Sequence, residues 1–387
     1  MAELVFCCEA VFQRCGDSFY STSASFGMSL WERYLSVFDR ITVVARVEEV
    51  TVHSDFLLDA SRIQIIALPR YKGLAGTIKA SLYLPAILKK HAVKGKSYIL
   101  RVPGQIGSSF SKVLDRMNIP FGVEVVGDPW DVMSSIGGRL SFILKRVGLW
   151  QLQKTVKRAG AVLYVTQHQL QKRYPAQPVV KTFAASNVKI DANFIASRPK
   201  RFPDKKEWNL LSVGSLEQLY KAPDIVIKAI RILKSRGLDI KLTWLGGGKF
   251  LEPMKSMASE FGVSDNISFL GNVGKEDIEY NLNEADLFIH VSRTEGLPRA
   301  IIEAMAKGLP VIGSNVGGIP ELIDDEFIIA PDDENKLADA IESIMKAPQI
   351  YEQNSARNLK ESARYDDNIL SAIRAGFYKT VEGISKR

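Results

Sequence analysis

The sequence predicts an α/β protein made of two doubly wound, parallel-sheet domains. Three observations carry this expectation. Short apolar runs alternate with longer stretches of helical period, the pattern of a parallel sheet covered on both faces. The alternation halts at a polar, basic stretch holding two prolines and then restarts. The chain has 387 residues, whereas single cores stop growing near ~250–300 residues.

In the first half, LVFCCEA (4–10), ITVVARV (41–47), IQIIAL (63–68), SYILRV (97–102), FGVEVV (121–126) and AVLYVT (161–166) read as buried strands. Helical period is found at 27–38, 76–91, 105–117 and 139–158. The break is IASRPKRFPDKKE (195–207), so domains are expected at 1–200 and 207–365. After it come strands at 208–213, 240–246, 266–271, 286–291 and 310–313. They are interleaved with helices at 222–236, 250–261, 275–283 and 298–307. The tail reads as helices. Its last stretch, 366–385, sets Ile369, Leu370, Ile373, Phe377 and Val381 on one stripe. A final helix returning to the first domain fits that spacing.

Composition excludes several classes. No run of about 18 apolar residues predicts a membrane span, and the start at LVFCCEA lacks the basic and apolar regions of a signal peptide. Cys7, Cys8 and Cys15 are too few for a disulfide framework, and a reducing cytoplasm is expected. No CxxC pair or His-rich cluster suggests a metal. His53, His91, His168 and His290 form no spaced ligand set and read as structural or exposed. Charge is uneven: residues 1–206 carry a net +15 and residues 207–387 a net −7. A basic half suits an anionic partner, such as nucleic acid, a phospholipid surface or a phosphorylated lipid acceptor, or is simply a solvated surface. No recognised module supports nucleic acid.

The chemistry concentrates in DLFIHVSRTEGLPRAIIEAMAKGLPVIGSNVGGIPELI (286–323). A strand ends at Val291, a polar loop runs from Ser292 to Gly296, Pro298 suits the first turn of a helix, and Gly308 ends it. The loop therefore lies at the carboxyl end of a parallel strand, where open α/β sheets bind ligands. Free N–H groups and the positive dipole end of the helix suit a diphosphate there. On a single helix, Glu295 and Glu303 would stand about 12 Å apart, too far for a close acid–base pair. Separate tasks suit them better. Glu295 is placed to accept from sugar hydroxyls and Glu303 to hold two ribose hydroxyls bidentately.

Glu295-GLPRAII-Glu303, followed by AMAKGLPVI and GSNVGGIPE, resembles the donor-site signature of retaining glycosyltransferase family 4, the group 1 glycosyltransferases. SVGSLEQLYKAPD (212–224) resembles that family's strand–loop with a phosphate-binding lysine. LGGGKF and ISFLGNV sit where its next strand ends belong. The resemblance is strong over 208–330 and extends to the first half only in layout.

It implies a GT-B fold, two Rossmann-like domains facing each other across a cleft. The implied activity is retaining transfer of a sugar from a nucleoside-diphosphate sugar, UDP favoured and GDP the rival. The acceptor would be a hydroxyl of a glycan, a lipid-linked or another glycoconjugate, in cell-surface polysaccharide assembly. No cofactor and no metal are implied. Lys221 would contact the donor diphosphate, Glu303 the ribose and Glu295 the transferred sugar. The N–H groups of Gly296 and Leu297 would face the phosphates, with Ser215, Asn272 and Val273 as further donor contacts.

The sequence departs from the family in three places. Many members carry an arginine six positions before the lysine; Ser215 stands here, and Arg293 is a candidate substitute. The glycine-rich loop after the first strand is replaced by SFYSTSASFG (18–27), whose Ser23, Ser25 and Gly27 are candidate acceptor contacts. No histidine ends the first-domain strand near the sugar. There EVVGDPWD (124–131) offers Asp128 as a catalytic polar contact and Trp130 for the acceptor, or a simple Gly-Asp-Pro turn. These gaps keep a non-catalytic nucleotide-sugar-binding protein in view, as does glycosylation of a soluble small molecule. A dehydrogenase is disfavoured because no GxGxxG follows the first strand, and no pyridoxal lysine of a phosphorylase is evident. The basic stretch SFILKRVGLWQLQKTVKRAG (141–160) suits either a core helix with a solvated basic face or one resting on an anionic membrane. The protein is thus expected in the cytoplasm, with peripheral contact at the inner face of the cell membrane as a further possibility.

Overall fold

The computed structural model describes residues 2–129 and 139–386. They form two compact units: one of residues 2–129, 139–185 and 370–386, the other of residues 186–369.

The first unit holds β1 (Glu3–Cys15), β2 (Ser18–Ser21), β3 (Arg40–Glu49), β4 (Phe56–Leu57), β5 (Ile63–Leu68), β6 (Ser97–Val102), β7 (Gly122–Val125), β8 (Ala161–Tyr164) and β9 (Lys181–Ala184). Its parallel strands lie in the order β5-β3-β1-β6-β7-β8-β9. Between them run α1 (Met28–Leu35), α2 (Gly73–Lys89), α3 (Gln105–Arg116), α4 (Arg139–Arg158) and α5 (Gln169–Arg173). The first strand is longer than its apolar run. It continues to Cys15 and turns through Gly16 and Asp17 onto antiparallel β2, with Cys15 opposite Ser18. Gly16 has φ +59°, the left-handed backbone that tight hairpin turns require. The extension is half-exposed except at Phe12, so it shows no apolar run. The serine-rich segment 18–27 therefore begins as a strand, and its loop starts only after Ser21.

The second unit holds β10 (Trp208–Val213), β11 (Ile240–Leu245), β12 (Ile267–Gly271), β13 (Leu287–His290), β14 (Val311–Ser314) and β15 (Ile328–Ile329). They form one wholly parallel sheet in the order β12-β11-β10-β13-β14-β15. Its helices are α6 (Pro223–Ser235), α7 (Leu251–Glu260), α8 (Lys275–Glu284), α9 (Arg299–Ala306), α10 (Glu334–Lys346) and α11 (Pro348–Ser362). The chain steps outward from β10 to β12, then restarts on the other side at β13. The gap between the carboxyl ends of β10 and β13 is thus the topological switch point, where such sheets leave room for a ligand.

The stretch 195–207 is not a loose tether. The Ala196 N–H donates to the Ala306 carbonyl at 2.8 Å and the Lys200 N–H to Ser355 Oγ at 2.7 Å. The Lys200 ammonium donates to the Asn283 and Ala285 carbonyls, each at 2.6 Å. Of the basic residues there, Lys200 caps carbonyls, while Arg198, Arg201, Lys205 and Lys206 are exposed.

The last helix, α12 (Asp367–Ser385), packs on the first sheet from residue 370 onward. A Cβ on Gly122 would stand 2.4 Å from Val381, and Phe183 meets the Phe377 ring edge-on at 5.8 Å. Its buried face is Leu370, Arg374, Phe377, Tyr378 and Val381. Ile369, expected on that stripe, is 47% exposed. Tyr378, a residue with a polar tip, takes the interior place, 4.7 Å from the Tyr34 ring. We expect Phe377→Ala to cost about 3–5 kcal/mol by leaving a cavity, and Ile369→Ala to stay within about 0.5 kcal/mol. Thermal denaturation of both variants checks this; equal effects would reject the assigned face.

Candidate active site

Lys221 closes the loop after β10, and Glu295 lies in the loop after β13, so both stand at the switch point. The Lys221 side chain reaches inward over Gly214, where a Cβ would come within 2.9 Å of Lys221 Cγ. Its ammonium pairs with Glu295 Oε1. The same oxygen accepts from Ser292 Oγ at 3.0 Å and from His290 Nε2 at 2.8 Å. Three donors thus converge on Oε1, while Oε2 has no hydrogen-bond partner among the described residues. Burial alone would push the Glu295 carboxyl up. The Lys221 charge and the His290 and Lys221 hydrogen bonds outweigh it and hold the carboxyl at about 2. His290 is buried, and burial together with Lys221 pushes its imidazole down, against the pull of Glu295. It is therefore neutral near pH 7 and donates through Nε2–H.

Backbone packed on backbone holds this cluster in place. Gly246 and Gly248 have φ +129° and +146°, and a Cβ on either would collide at 2.2 Å with the main chain of 214–217. The Leu216 N–H donates to the Gly247 carbonyl at 2.8 Å, and the Gly247 N–H to Asn272 Oδ1 at 2.9 Å. Asn272 therefore braces the glycine turn, and Val273 beside it is half-buried. Ser215 Oγ caps the N–H of Glu217 at 3.2 Å. Across the switch point, the Gly318 N–H donates to the Gly296 carbonyl at 2.6 Å, and a Cβ on Gly317 would sit 2.2 Å from the Glu295 carbonyl oxygen. Ser314 Oγ bridges the N–H and the carbonyl of Ser292 at 2.8 and 2.7 Å. The N–H groups of Gly296 and Leu297 are left with no acceptor among the described residues. Pro298 sits at the N-cap of α9, one position ahead of the first turn.

Glu303 projects from α9, and burial raises its carboxyl, with Arg299 and Lys275 opposing. Arg293 is brought elsewhere. Its guanidinium grips Asp224 at 2.7 and 3.0 Å, Asp332 at 2.7 Å and the Leu219 carbonyl at 2.5 Å. It ties the loop of Lys221 to its own, so its charge is matched by carboxylates rather than open to a phosphate.

Candidate residues of the first unit are described on their own. Asp128 is buried; Tyr174 Oη donates to its Oδ1 at 2.5 Å and Arg173 pairs with Oδ2. This is a braced carboxylate that ties 128 to 173–174. Ser23 accepts through its carbonyl from Ser21 Oγ at 2.7 Å, Ser25 is exposed, and Gly27 is the N-cap of α1. Trp130 lies outside the described residues.

Sequence reasoning missed His290, which was assigned a structural or exposed place. The signal was present: it is the one polar residue of the run LFIH, at the strand's carboxyl end and five residues before Glu295. Among the described residues, no group of three or more His, Cys, Asp or Glu is placed to hold a metal ion.

Residues 193–366 match the family model of the glycosyl transferases group 1. Protein CapJ of Staphylococcus aureus is 28% identical over 371 residues, covering 94% of this chain and 92% of that protein. The amylovoran biosynthesis glycosyltransferase AmsK of Erwinia amylovora is 34% identical over 148 residues, 35% of this chain and 36% of the relative. Among solved structures, the sucrose-phosphate synthase of Thermosynechococcus elongatus superposes with TM-score 0.70 at 16% identity, covering 98% of both chains. WaaG, a glycosyltransferase involved in lipopolysaccharide biosynthesis, gives 0.66 at 17%, covering 98% of this chain and 99% of its own. Residues 193–366 are thus similar to the group 1 glycosyl transferases, and the fold of the chain is that of the GT-B glycosyltransferases.

Proposed function

We propose that this glycosyltransferase moves a sugar, with retention of anomeric configuration, from a nucleoside-diphosphate sugar to a hydroxyl of a glycan or lipid-linked acceptor in cell-surface polysaccharide assembly. One observation carries the reading. Lys221 and Glu295 meet at the switch point with Glu295 Oε1 fixed by three donors. Glu295 Oε2 and the N–H groups of Gly296 and Leu297 are left over. The spare oxygen suits a sugar hydroxyl, and the N–H groups suit a diphosphate. Glu303 serves the ribose. As the anomeric carbon–oxygen bond breaks, charge grows on the departing phosphate, and ammonium and N–H donors already in place stabilise it. The acceptor oxygen bonds to the anomeric carbon on the same face, and its proton passes to the departing phosphate oxygen.

UDP is the favoured nucleotide. Anabaena HepE, solved with UDP-glucose, shares the fold, although a mycobacterial relative is named as GDP-mannose-dependent. Relatives named for amylovoran and colanic acid biosynthesis support a polysaccharide setting.

The separate tasks of the two glutamates are measurable. Glu303→Ala should weaken binding of the bare nucleoside diphosphate by roughly 10- to 100-fold, the loss of a charge-assisted contact worth about 1.5–3 kcal/mol. Glu295→Gln should leave that affinity within a few-fold while cutting transfer at least about 100-fold. Calorimetry and turnover test the pair; equal loss of nucleotide affinity would reject the division.

Retention is read from the anomeric proton of the product by NMR, with the reaction run in EDTA. We expect the donor's configuration and undiminished rate, because ammonium and N–H groups meet the diphosphate. An inverted product would remove the mechanism.

Protonation states give a further expectation. The Glu295 carboxyl is held at about 2, against an ordinary 4.5. Its stabilisation is therefore complete above pH 4.5 and lost as pH falls from 4.5 toward 2. His290 is pushed below its ordinary 6.5, so the unfolded chain takes up that proton first and stability falls as pH drops below 6.5. His290→Asn should flatten the loss of Tm between pH 6.5 and 4.5. A difference profile that stays flat would show that His290 is not held neutral.

A further inference from the structure

Helix α4 turns its apolar side in two directions. One face is interior: Leu152, Thr155 and Val156 are buried, and Thr155 Oγ1 lies 3.4 Å from Ser111 Oγ of α3. The other face is open. Phe142, Ile143, Val147 and Trp150 are 56, 59, 50 and 56% exposed. At ~100° per residue these four share an arc of roughly 140° with Arg146, Lys154 and Lys157. The sequence expectation of a core helix with a solvated basic face accounts for the cations but not for these side chains. Exposed apolar groups scattered singly need no explanation; four on one helical arc do.

The charges on this arc select the occupant. The arc carries Arg146, Lys154 and Lys157 and the helix has no carboxylate, while Arg158 at its end pairs with Asp115 of α3 at 3.1 Å. Arg146 stands 4.4 Å over the Phe142 ring and Lys154 4.7 Å over the Trp150 ring. The cations continue onto α3, where burial and then the charges of Lys154, Arg158 and Arg116 push the Lys112 ammonium down. Aliphatic and aromatic side chains rimmed by lysine and arginine match a surface that is apolar inside and anionic outside. A nucleic acid would have no use for Ile143 and Val147. Among the described residues no helix is long and apolar enough to cross a membrane, so contact of this kind is peripheral.

We propose that this arc of α4 is a docking surface for an anionic lipid bilayer. Phe142, Ile143, Val147 and Trp150 enter the boundary between headgroups and acyl chains, while Lys154 and Lys157 meet lipid phosphates. The inference stands apart from the sugar-transfer reading, since it concerns binding alone.

The test is co-sedimentation of the full chain with vesicles of phosphatidylglycerol and phosphatidylcholine in equal parts, against phosphatidylcholine alone. The chain should bind the anionic vesicles at low salt, bind the neutral ones poorly, and lose roughly tenfold or more in affinity as salt passes physiological strength. Lys154→Gln with Lys157→Gln should cost roughly tenfold or more, since each cation near an anionic surface is worth about fivefold. Val147→Ser with Trp150→Ser should cost at least roughly tenfold. Both sites are exposed, and unchanged nucleoside-diphosphate affinity with unchanged Tm would show that the variants are folded. In the unaltered chain, Trp150 should be quenched by bromine-labelled lipid, and Trp150→Phe should remove that part of the quenching. The proposal is overturned by absent binding at low salt or by equal binding of the variants. It is also overturned by a dimer in light scattering that Trp150→Ser dissolves, or by single-stranded nucleic acid binding more tightly than the vesicles.

Discussion

The second unit depends on the encounter of Lys221 with Glu295. A carboxylate that is only 10% exposed is costly to keep charged unless donors surround it. Here the ammonium, the neutral imidazole of His290 and the hydroxyl of Ser292 all supply the same oxygen. The pair fixes two loops that approach from neighbouring strands 74 residues apart in sequence. Removing either partner would leave a buried charge uncompensated, so the site and the stability of its walls are linked.

That encounter needs the main chains to come unusually close. Gly214 makes way for the lysine side chain, Gly246 and Gly248 let the turn after β11 lie against 214–217, and Gly317 lets the turn after β14 touch 295–296. Arg293 adds a side-chain brace through Asp224 and Asp332. Its apparent suitability as a phosphate ligand came from its place beside Ser292. Two carboxylates within reach decided otherwise, because a guanidinium is bound most strongly by planar oxygen pairs.

The first unit uses the same architecture for different ends. Several of its polar groups are matched internally: buried Tyr34 Oη donates to Glu124 at 2.8 and 3.0 Å, and half-buried Tyr71 Oη donates to Glu9 at 2.7 Å. Asp128 is likewise held by Tyr174 and Arg173. The open chemistry of this unit lies on its outside, where α4 shows apolar and basic groups together.

Strand and helix alternation, the carboxyl-end loop at 292–296 and the glutamate spacing were legible in the sequence because each depends on local period or on neighbours a few residues apart. Strands such as 97–102 and 208–213 and the helix at 139–158 follow directly from such patterns. The half-exposed extension of β1 and the short strands β2 and β9 have no continuous apolar run, and the runs at β4 and β15 are only three or four residues long. The role of His290, the engagement of Arg293, the burial of Tyr378 in place of Ile369 and the outward apolar arc of α4 were decided only in three dimensions. The engagement of Arg293 and the burial of Tyr378 are choices of partner between residues far apart in sequence, and His290 meets Glu295 five residues on together with Lys221, 69 residues away; periodicity states that a side chain has a face without stating what that face will meet.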